Sequence, residues 1–360
     1  MNAKMQVVED TAVLGARIDG CFSLSYSEEE HQTQKTVERF ARERLLPLRR
    51  GANYLTMRSS VLRWAGELGF DGAVADPTGA GEFLSAASVI AAEELGAGDL
   101  EAGLDVLLSI AIAELARAVG AAPAAADDRD GLREIEAHTA DFALALGDSR
   151  ADGVSVIASP TTKTILVLRR ARNPSKIDVT LMNAPELWTC DAEGGASCGF
   201  LALRFTRLEA RAVVPRWTVP VSSVRPALGR FAVSLSALLV GAMREAVKFA
   251  FGYAKTRVSF GKPLVGHQAM ALRLANMLVQ MEASKLLLWQ TAWSPNARDG
   301  VGVQVLIDQV VEASREIFRE AVQVCGGHGY VDGLPPHAWF QHASALTALL
   351  REIALLAEGA

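Results

Sequence analysis

One stretch constrains this chain more than any other. Gly241 to Gln268 reads GAMREAVKFAFGYAKTRVSFGKPLVGHQ. Its first half is periodic: Ala242, Ala246, Phe249, Ala250 and Tyr253 recur at spacings of three and four, the stripe of a helix packed on a core. Arg257 follows Tyr253 by one turn, and Ser259-Phe260-Gly261-Lys262-Pro263 then breaks the helix. Pro263 suits the first turn of a second helix, with Gln268 expected one turn inside it. A guanidinium, an aromatic ring and a primary amide at such a corner can together grip a polyanion. Arginine forks onto phosphate oxygens, and an amide both donates and accepts.

A second stretch supports that reading. Ala321 to Tyr330, AVQVCGGHGY, ends another long helix with three glycines in four residues. Glycine there allows left-handed backbone and close approach to the main chain. Taken singly, the first stretch reads as a solvated arginine beside a core phenylalanine, and the second as an ordinary glycine cap. In this order on successive helices they are far more specific. The run Y-x-x-x-R-x-x-F-G-K-P-L-x-x-H-Q followed by A-V-Q-x-x-G-G-x-G-Y resembles the C-terminal domain of the flavin-dependent acyl-CoA dehydrogenases. The likeness is good over roughly residues 230 to 345 and weaker before that. It implies FAD, an acyl-CoA thioester substrate and a tetramer.

The 360 residues suit two or three packed units. A net charge of −5 and a pI near 5.8, without a basic stripe, argue against a nucleic-acid partner. Cys21, Cys190, Cys198 and Cys325 show no metal-ligand spacing, so no metal is expected, and they read as reduced thiols of a cytoplasmic protein. With Glu9 and Asp10 near the start and no long apolar run, neither a secretory signal nor a membrane span is expected.

The expected fold is mainly α with a small central β domain. Residues 1–141 form an N-terminal helical domain with a loose arm, 142–222 a shortened antiparallel β domain, and 223–360 a four-helix bundle. Ser27 and Glu30 make a capping box for a helix to Leu46, stopped by Pro47. Further helices are expected at Val61–Leu68, Leu84–Leu95 and Leu104–Val119, with Glu93-Glu94 on a solvated face and Gly120–Asp130 as a linker. Short β-type runs occupy Val154–Ala158, Thr164–Arg169, Asp178–Leu181, Phe200–Phe205 and Ala212–Val214. The bundle helices are expected near 230–256, 264–292, 301–325 and 338–357. An early Ser-Glu-Glu helix, a Leu-Gly-Phe turn and a Glu-Glu-Leu-Gly helix end also resemble the family's N-terminal domain.

The departures from the family are equally informative. Its β domain carries Thr-Glu-Pro…Gly-Ser-Asp and Trp-Ile-Ser/Thr stretches that contact flavin and thioester. Neither is present here, and Trp188 and Trp217 read as packing residues. The family's base, a glutamate in the last helix, aligns with Leu350, followed by Arg351; the alternative base position aligns with Phe231. Neither side chain takes a proton. Glu352 is the remaining acidic candidate, but two residues along a helix is about 200° around it. His328 and His342 are titratable and read as helix-end or surface residues.

What the resemblance retains is Arg257, Phe260, Gln268, Gln323, Gly326 and Gly327, whose family counterparts reach across a subunit interface to the pyrophosphate and adenosine of a neighbour's FAD. Some bacterial acyl-CoA dehydrogenases, including steroid side-chain enzymes, are α2β2 tetramers with one degenerate subunit, and the segment His337 to Leu350 looks like such subunits. The expectation is an oxidoreductase component that completes an FAD site in trans beside a homologous subunit. The alternatives are a self-sufficient homo-oligomeric flavoenzyme with a relocated base such as Glu352, and a flavin-free enzyme or binding module on the same fold.

Overall fold

The computed structural model describes residues 27–45, 54–67, 84–125, 130–148, 153–159, 161–184, 203–209, 214–293, 301–331 and 334–358. The expected N-terminal arm, the Pro47 stop, Trp188 and three of the four cysteines lie outside them. Five helices come first: α1 (Glu28–Phe40, continued by a π turn, Ala41–Leu45), α2 (Tyr54–Glu67), α3 (Ala86–Gly98), α4 (Leu100–Gly120) and α5 (Asp130–Ala137). The Ser27 capping box forms in full: the Ser27 hydroxyl accepts from the Glu30 amide at 3.2 Å, and the Glu30 carboxylate takes the Ser27 amide at 2.6 Å. Ser85 and Asp99 cap α3 and α4 by the simpler single bond, their side chains accepting from the Ser88 and Ala102 amides. Helix α5 occupies ground read from sequence as linker and its flank; Leu132 and Ile135, a turn apart, bury into the core and give it a packing face.

Six strands follow: β1 (Phe142–Asp148), β2 (Gly153–Ala158), β3 (Thr164–Arg170), β4 (Lys176–Asn183), β5 (Arg204–Glu209) and β6 (Trp217–Pro220). Their order is β5-β2-β1-β3-β4-β6. The expected all-antiparallel arrangement is corrected at the centre, where β1 and β3 run parallel from Phe142↔Thr164 to Asp148↔Arg170. Of the run expected at Phe200–Phe205, Arg204 and Phe205 open β5; residues 200–202 and 212–213 lie outside the described residues, and Val214 precedes β6. Alternation explains the two faces. Phe142, Leu144, Leu146, Leu166 and Leu168 join the main core, whereas Ala143, Ala145, Ile165 and Val167 form a second small cluster beneath. Trp217 is buried, as a packing residue should be.

The chain closes with α6 (Val221–Thr256), a two-residue hairpin of β7 (Val258–Ser259) and β8 (Lys262–Pro263), then α7 (Gln268–Trp293), α8 (Val301–Cys325) and α9 (Pro335–Ala357). Pro263 therefore sits in a strand, and Gln268 is the first residue of its helix and not one turn inside it; a 3₁₀ turn, Leu264–Gly266, takes up the difference. The C-terminus of α9 is pinned to the end of β3 and the start of α6. Arg170 donates to the carbonyls of Leu355 and Glu358, and Arg225 to that of Ala357 at 3.0 Å.

Helix α6 is the axle. By length and hydropathy it could cross a bilayer, but 89% of its apolar window is buried inside the chain, against α3, α4 and the bundle. It is a core helix. Gly241 and Gly96 let α3 and α6 touch backbone to backbone: a Cβ at Gly241 would overlap the Glu93 carbonyl, and one at Gly96 the Leu238 carbonyl.

Candidate functional site

The retained residues gather at the far end of α6. Arg257 caps that helix: its amide donates to the Tyr253 carbonyl at 2.9 Å, and its own carbonyl accepts from the Leu264 amide at 2.8 Å. Its side chain is exposed. The hairpin tip carries Phe260 at φ 49° and Gly261 at φ 78°. A non-glycine residue in left-handed backbone costs about 1–2 kcal/mol, and Phe260 spends it to hold a ring that is 96% exposed. His267 braces the hairpin by bonding the Ser259 carbonyl at 3.0 Å, and its ring meets Phe260 edge-on at 6.3 Å.

Tyr253 joins this corner to the glycine turn. The sequence placed it only on an apolar stripe. Its hydroxyl lies 2.9 Å from His328 Nδ1 and 3.3 Å from the Cys325 carbonyl, so α6 is tied to the end of α8. There Gly326 turns left-handed at φ 58°. A Cβ at Gly326 or Gly327 would meet nothing within 4 Å, so the backbone faces open space. Gln323 and Gln268 are exposed as well. One arginine, two primary amides and an accessible glycine backbone suit phosphate and ribose oxygens. The thiol beneath is unreactive by position: burial pushes Cys325 up to about 11.

The positions aligned with the base are apolar and closed. Phe231 is 3% exposed and Leu350 fully buried. Glu352 is half-buried on α9, two residues beyond Leu350. His328 is exposed, as expected, but His342 is buried rather than at the surface, because its face of α9 packs into the bundle. Among the described residues, no group of acidic, histidine and cysteine side chains is arranged to hold a metal.

A second correction concerns Glu93 and Glu94. They lie on no solvated face: α3 is buried nearly all round, and Glu93 turns toward α6 and α7, Glu94 toward α6 and α1. Arg244 meets Glu94 at 2.7 Å and Glu93 at 3.8 Å; the Trp289 indole donates to Glu93 at 2.9 Å, and Gln34 to Glu94 at 3.2 Å. Burial pushes the Glu93 carboxyl up despite the cations near it. For Arg244 burial acts downward, yet the carboxylates of Glu94 and Glu93 outweigh it and hold the guanidinium charged. The overlooked signal was Arg244 itself, a cation in the middle of an apolar helix, which needs a buried partner.

Helix α4 is held as tightly to α2 and to the residue before β5. Arg58 forks onto Asp105 at 2.6 and 2.7 Å, and Glu101 takes the Leu203 amide at 2.8 Å. Beside the fork a cavity of about 10 Å³ is bounded by Ser109, Ile112, Phe142, Ile157 and Ser159. That is at most room for one water.

Two family models match the chain. The N-terminal domain of acyl-CoA dehydrogenase matches residues 27–122 and the C-terminal domain residues 222–349, more than half the chain between them. The human mitochondrial short-chain specific acyl-CoA dehydrogenase is 30% identical over 118 residues, and the short-chain specific enzyme of Megasphaera elsdenii 35% over 109. Those matches cover 32% and 30% of this chain, but only 28% of each relative's length. Among solved structures, butyryl-CoA dehydrogenase from Megasphaera elsdenii superposes over 90% of this chain and 95% of its own, with a TM-score of 0.62 at 16% identity. A glutaryl-CoA dehydrogenase from Mycobacterium smegmatis in complex with FADH2 superposes over 89% of this chain and 90% of its own, with a TM-score of 0.62 at 17% identity. At such identities the superpositions speak for the fold alone.

Proposed function

Because the chain belongs to the acyl-CoA dehydrogenase family, we propose that it is the non-catalytic subunit of an FAD-dependent acyl-CoA dehydrogenase, completing the flavin site of a homologous partner in trans. One contrast carries this reading. The residues aligned with the family's phosphate and adenosine contacts stand exposed on one corner, while both positions aligned with its base are buried hydrocarbon, Phe231 and Leu350.

In this reading Arg257 forks onto the pyrophosphate, Gln268 and Gln323 bond phosphate and sugar oxygens, Phe260 packs on the cofactor's edge, and Gly326 and Gly327 let it approach the main chain. Tyr253 holds the corner together. FAD, when bound, supplies the two-electron chemistry of the complex. This chain contributes binding and orientation, and the partner's carboxylate takes the substrate proton. Among the described residues, the cavity beside the Arg58–Asp105 pair holds about 10 Å³, too little for an acyl thioester. The three-unit division at 141/142 and 222/223, a tetrameric α2β2 assembly, a role in lipid or steroid metabolism and a cytoplasmic location belong to the same proposal.

The test is the visible absorption spectrum of the chain purified alone, then co-expressed with a complete homologous subunit. The expected outcome is no flavin on the lone chain and a yellow, larger species with the partner, with Arg257→Ala weakening flavin retention about tenfold or more. Stoichiometric flavin on the lone chain would overturn the proposal and turn attention to Glu352→Gln.

A further inference from the structure

A single phenolic proton decides how His328 is protonated. Tyr253 Oη lies 3.3 Å from the Cys325 carbonyl and 2.9 Å from His328 Nδ1. A carbonyl oxygen only accepts, so the phenolic proton goes to Cys325. The lone pairs of the phenolic oxygen then face His328, and that bond forms only if Nδ1 carries the proton and donates it. A neutral imidazole has one N–H, so Nε2 is left bare, an acceptor. Among the described residues Nε2 has no partner, and the side chain is exposed.

The ring is also held in place. Gly329 beside it is buried against α8, where a Cβ would overlap the Val322 carbonyl. The Val331 amide closes the turn on the His328 carbonyl at 3.3 Å, and the Tyr253 ring meets the imidazole edge-on at 6.3 Å. What such an acceptor suits follows from its neighbours. Arg257 can only donate, and the two amides can turn either way. The chain has no aspartate or glutamate between Glu245 and Glu282, nor between Glu320 and Asp332, which lies outside the described residues. Dinucleotide sites of doubly wound folds use an acidic side chain for a ribose hydroxyl. Beside a pyrophosphate a carboxylate is also repelled, whereas a neutral nitrogen takes the hydroxyl without that penalty.

We propose that His328 reads the sugar of the bound ligand: with its proton held on Nδ1 by Tyr253, it presents Nε2 as acceptor to a ribose hydroxyl next to the pyrophosphate gripped by Arg257. The class of ligand rests on the flavin-site reading above; the residue, the atom and the group it recognises go beyond it. Tyr253 lies one turn before Arg257 on α6, so the helix that presents the guanidinium also fixes the imidazole. The corner then prefers a ribonucleotide to one whose sugar lacks hydroxyls.

The experiment uses the full chain carrying nitrogen-15-labelled histidine. Long-range proton–nitrogen spectra, with the His328 signal assigned by its loss in His328→Gln, are expected to show Nδ1 protonated and Nε2 bare. Tyr253→Phe should release the ring to the Nε2–H form that free imidazole side chains favour. Equilibrium dialysis then compares inorganic pyrophosphate, ADP and ADP lacking both ribose hydroxyls. The parent should bind ADP about tenfold more tightly than the analogue. His328→Phe should erase that preference and leave pyrophosphate binding within about twofold. His328→Gln, whose amide oxygen reaches about as far as Nε2, should restore part of it. A merely structural histidine would instead weaken all the ligands together, which would overturn the proposal, as would a parent ring protonated on Nε2. Pyrophosphate lost in Arg257→Ala, with ADP and its analogue bound equally by the parent, would sink the sugar assignment alone. A chain that binds none of these ligands would sink the flavin-site reading along with it. Loss of the preference in Asp332→Asn, with His328 intact, would hand the role to that carboxylate.

Discussion

The middle of α6 and its C-terminal end use the same residue types for opposite purposes. Near its middle, Gly241 and Arg244 face α3: the glycine admits a backbone carbonyl, and the arginine is enclosed by Glu93, Glu94 and the carboxylate of Glu245 at 3.7 Å. At its C-terminus, Arg257 and the glycines of the hairpin and the α8 turn face outward, with open space beside Gly261, Gly326 and Gly327. The first region spends its polar groups on itself and is structure. The second leaves its donors to be satisfied by something else. Burial, and not composition, is what separates the enclosed Arg244 from the open Arg257.

The sharpest way to break that contrast is to add one methyl group. Gly241→Ala drives a Cβ into the Glu93 carbonyl between two helices that have no room to part, and is expected to cost at least about 4 kcal/mol or to prevent folding. Gly327→Ala meets nothing within 4 Å and should stay within about 0.5 kcal/mol of the parent. Urea denaturation curves of the two variants make the comparison; equal destabilisation would remove the distinction.

Removing the cations comes next. Arg244→Met leaves two buried carboxylates without their counter-charge and should cost about 3–5 kcal/mol. Arg257→Met should change stability by no more than about 0.5 kcal/mol and show itself only in ligand capture. A thermal shift larger for Arg257→Met than for Arg244→Met would invert the assignment.

A smaller effect concerns pH. Burial raises the Glu93 carboxyl in the folded chain, so in that range the folded state binds more protons than the unfolded one. Its contribution is therefore fully present below the unfolded carboxylate value and is lost as pH rises through the raised one. Glu114 on α4 is pushed up by burial in the same sense, against the pull of Arg230. Glu93→Gln, which can still accept from Trp289, should flatten the fall in melting temperature from acid toward neutral pH. An unchanged slope would mean that Glu93 does not titrate there.

The smallest effect lies beneath the corner. Cys325, pushed up to about 11, should react slowly with iodoacetamide at pH 8. Tyr253→Phe removes the hydroxyl tie to His328 and the Cys325 carbonyl, at a cost of about 1 kcal/mol, and should speed that reaction. No acceleration would show that the turn is held without Tyr253.

Much of this was legible in the residues because it depends on local periodicity. The Ser27 capping box, the ends of α6 and α8, the strands β2 and β3 and the Gly326 turn follow from spacing and from backbone preferences written within a few positions. Arg257, Gln323 and the glycines proposed to hold the cofactor were also picked out from two short runs of recognisable order. Strand β1 was missed as a strand because its neighbours in the sheet are β2 and β3, and its parallel partner is joined to it only through a further strand. Glu93 and Glu94 were misread for a related reason: their helical pattern is the same whether water or Arg244 faces them, and that cation lies 150 residues away in sequence.

The sequence by itself thus determined most of the helices and strands, because hydrogen-bonding and steric preferences act over one or two turns of chain. Only the tertiary structure decided which charges are enclosed and which glycines are touched. Burial is set by residues distant in the chain, and the cost of an enclosed charge or a crowded Cβ exists only once those residues have met.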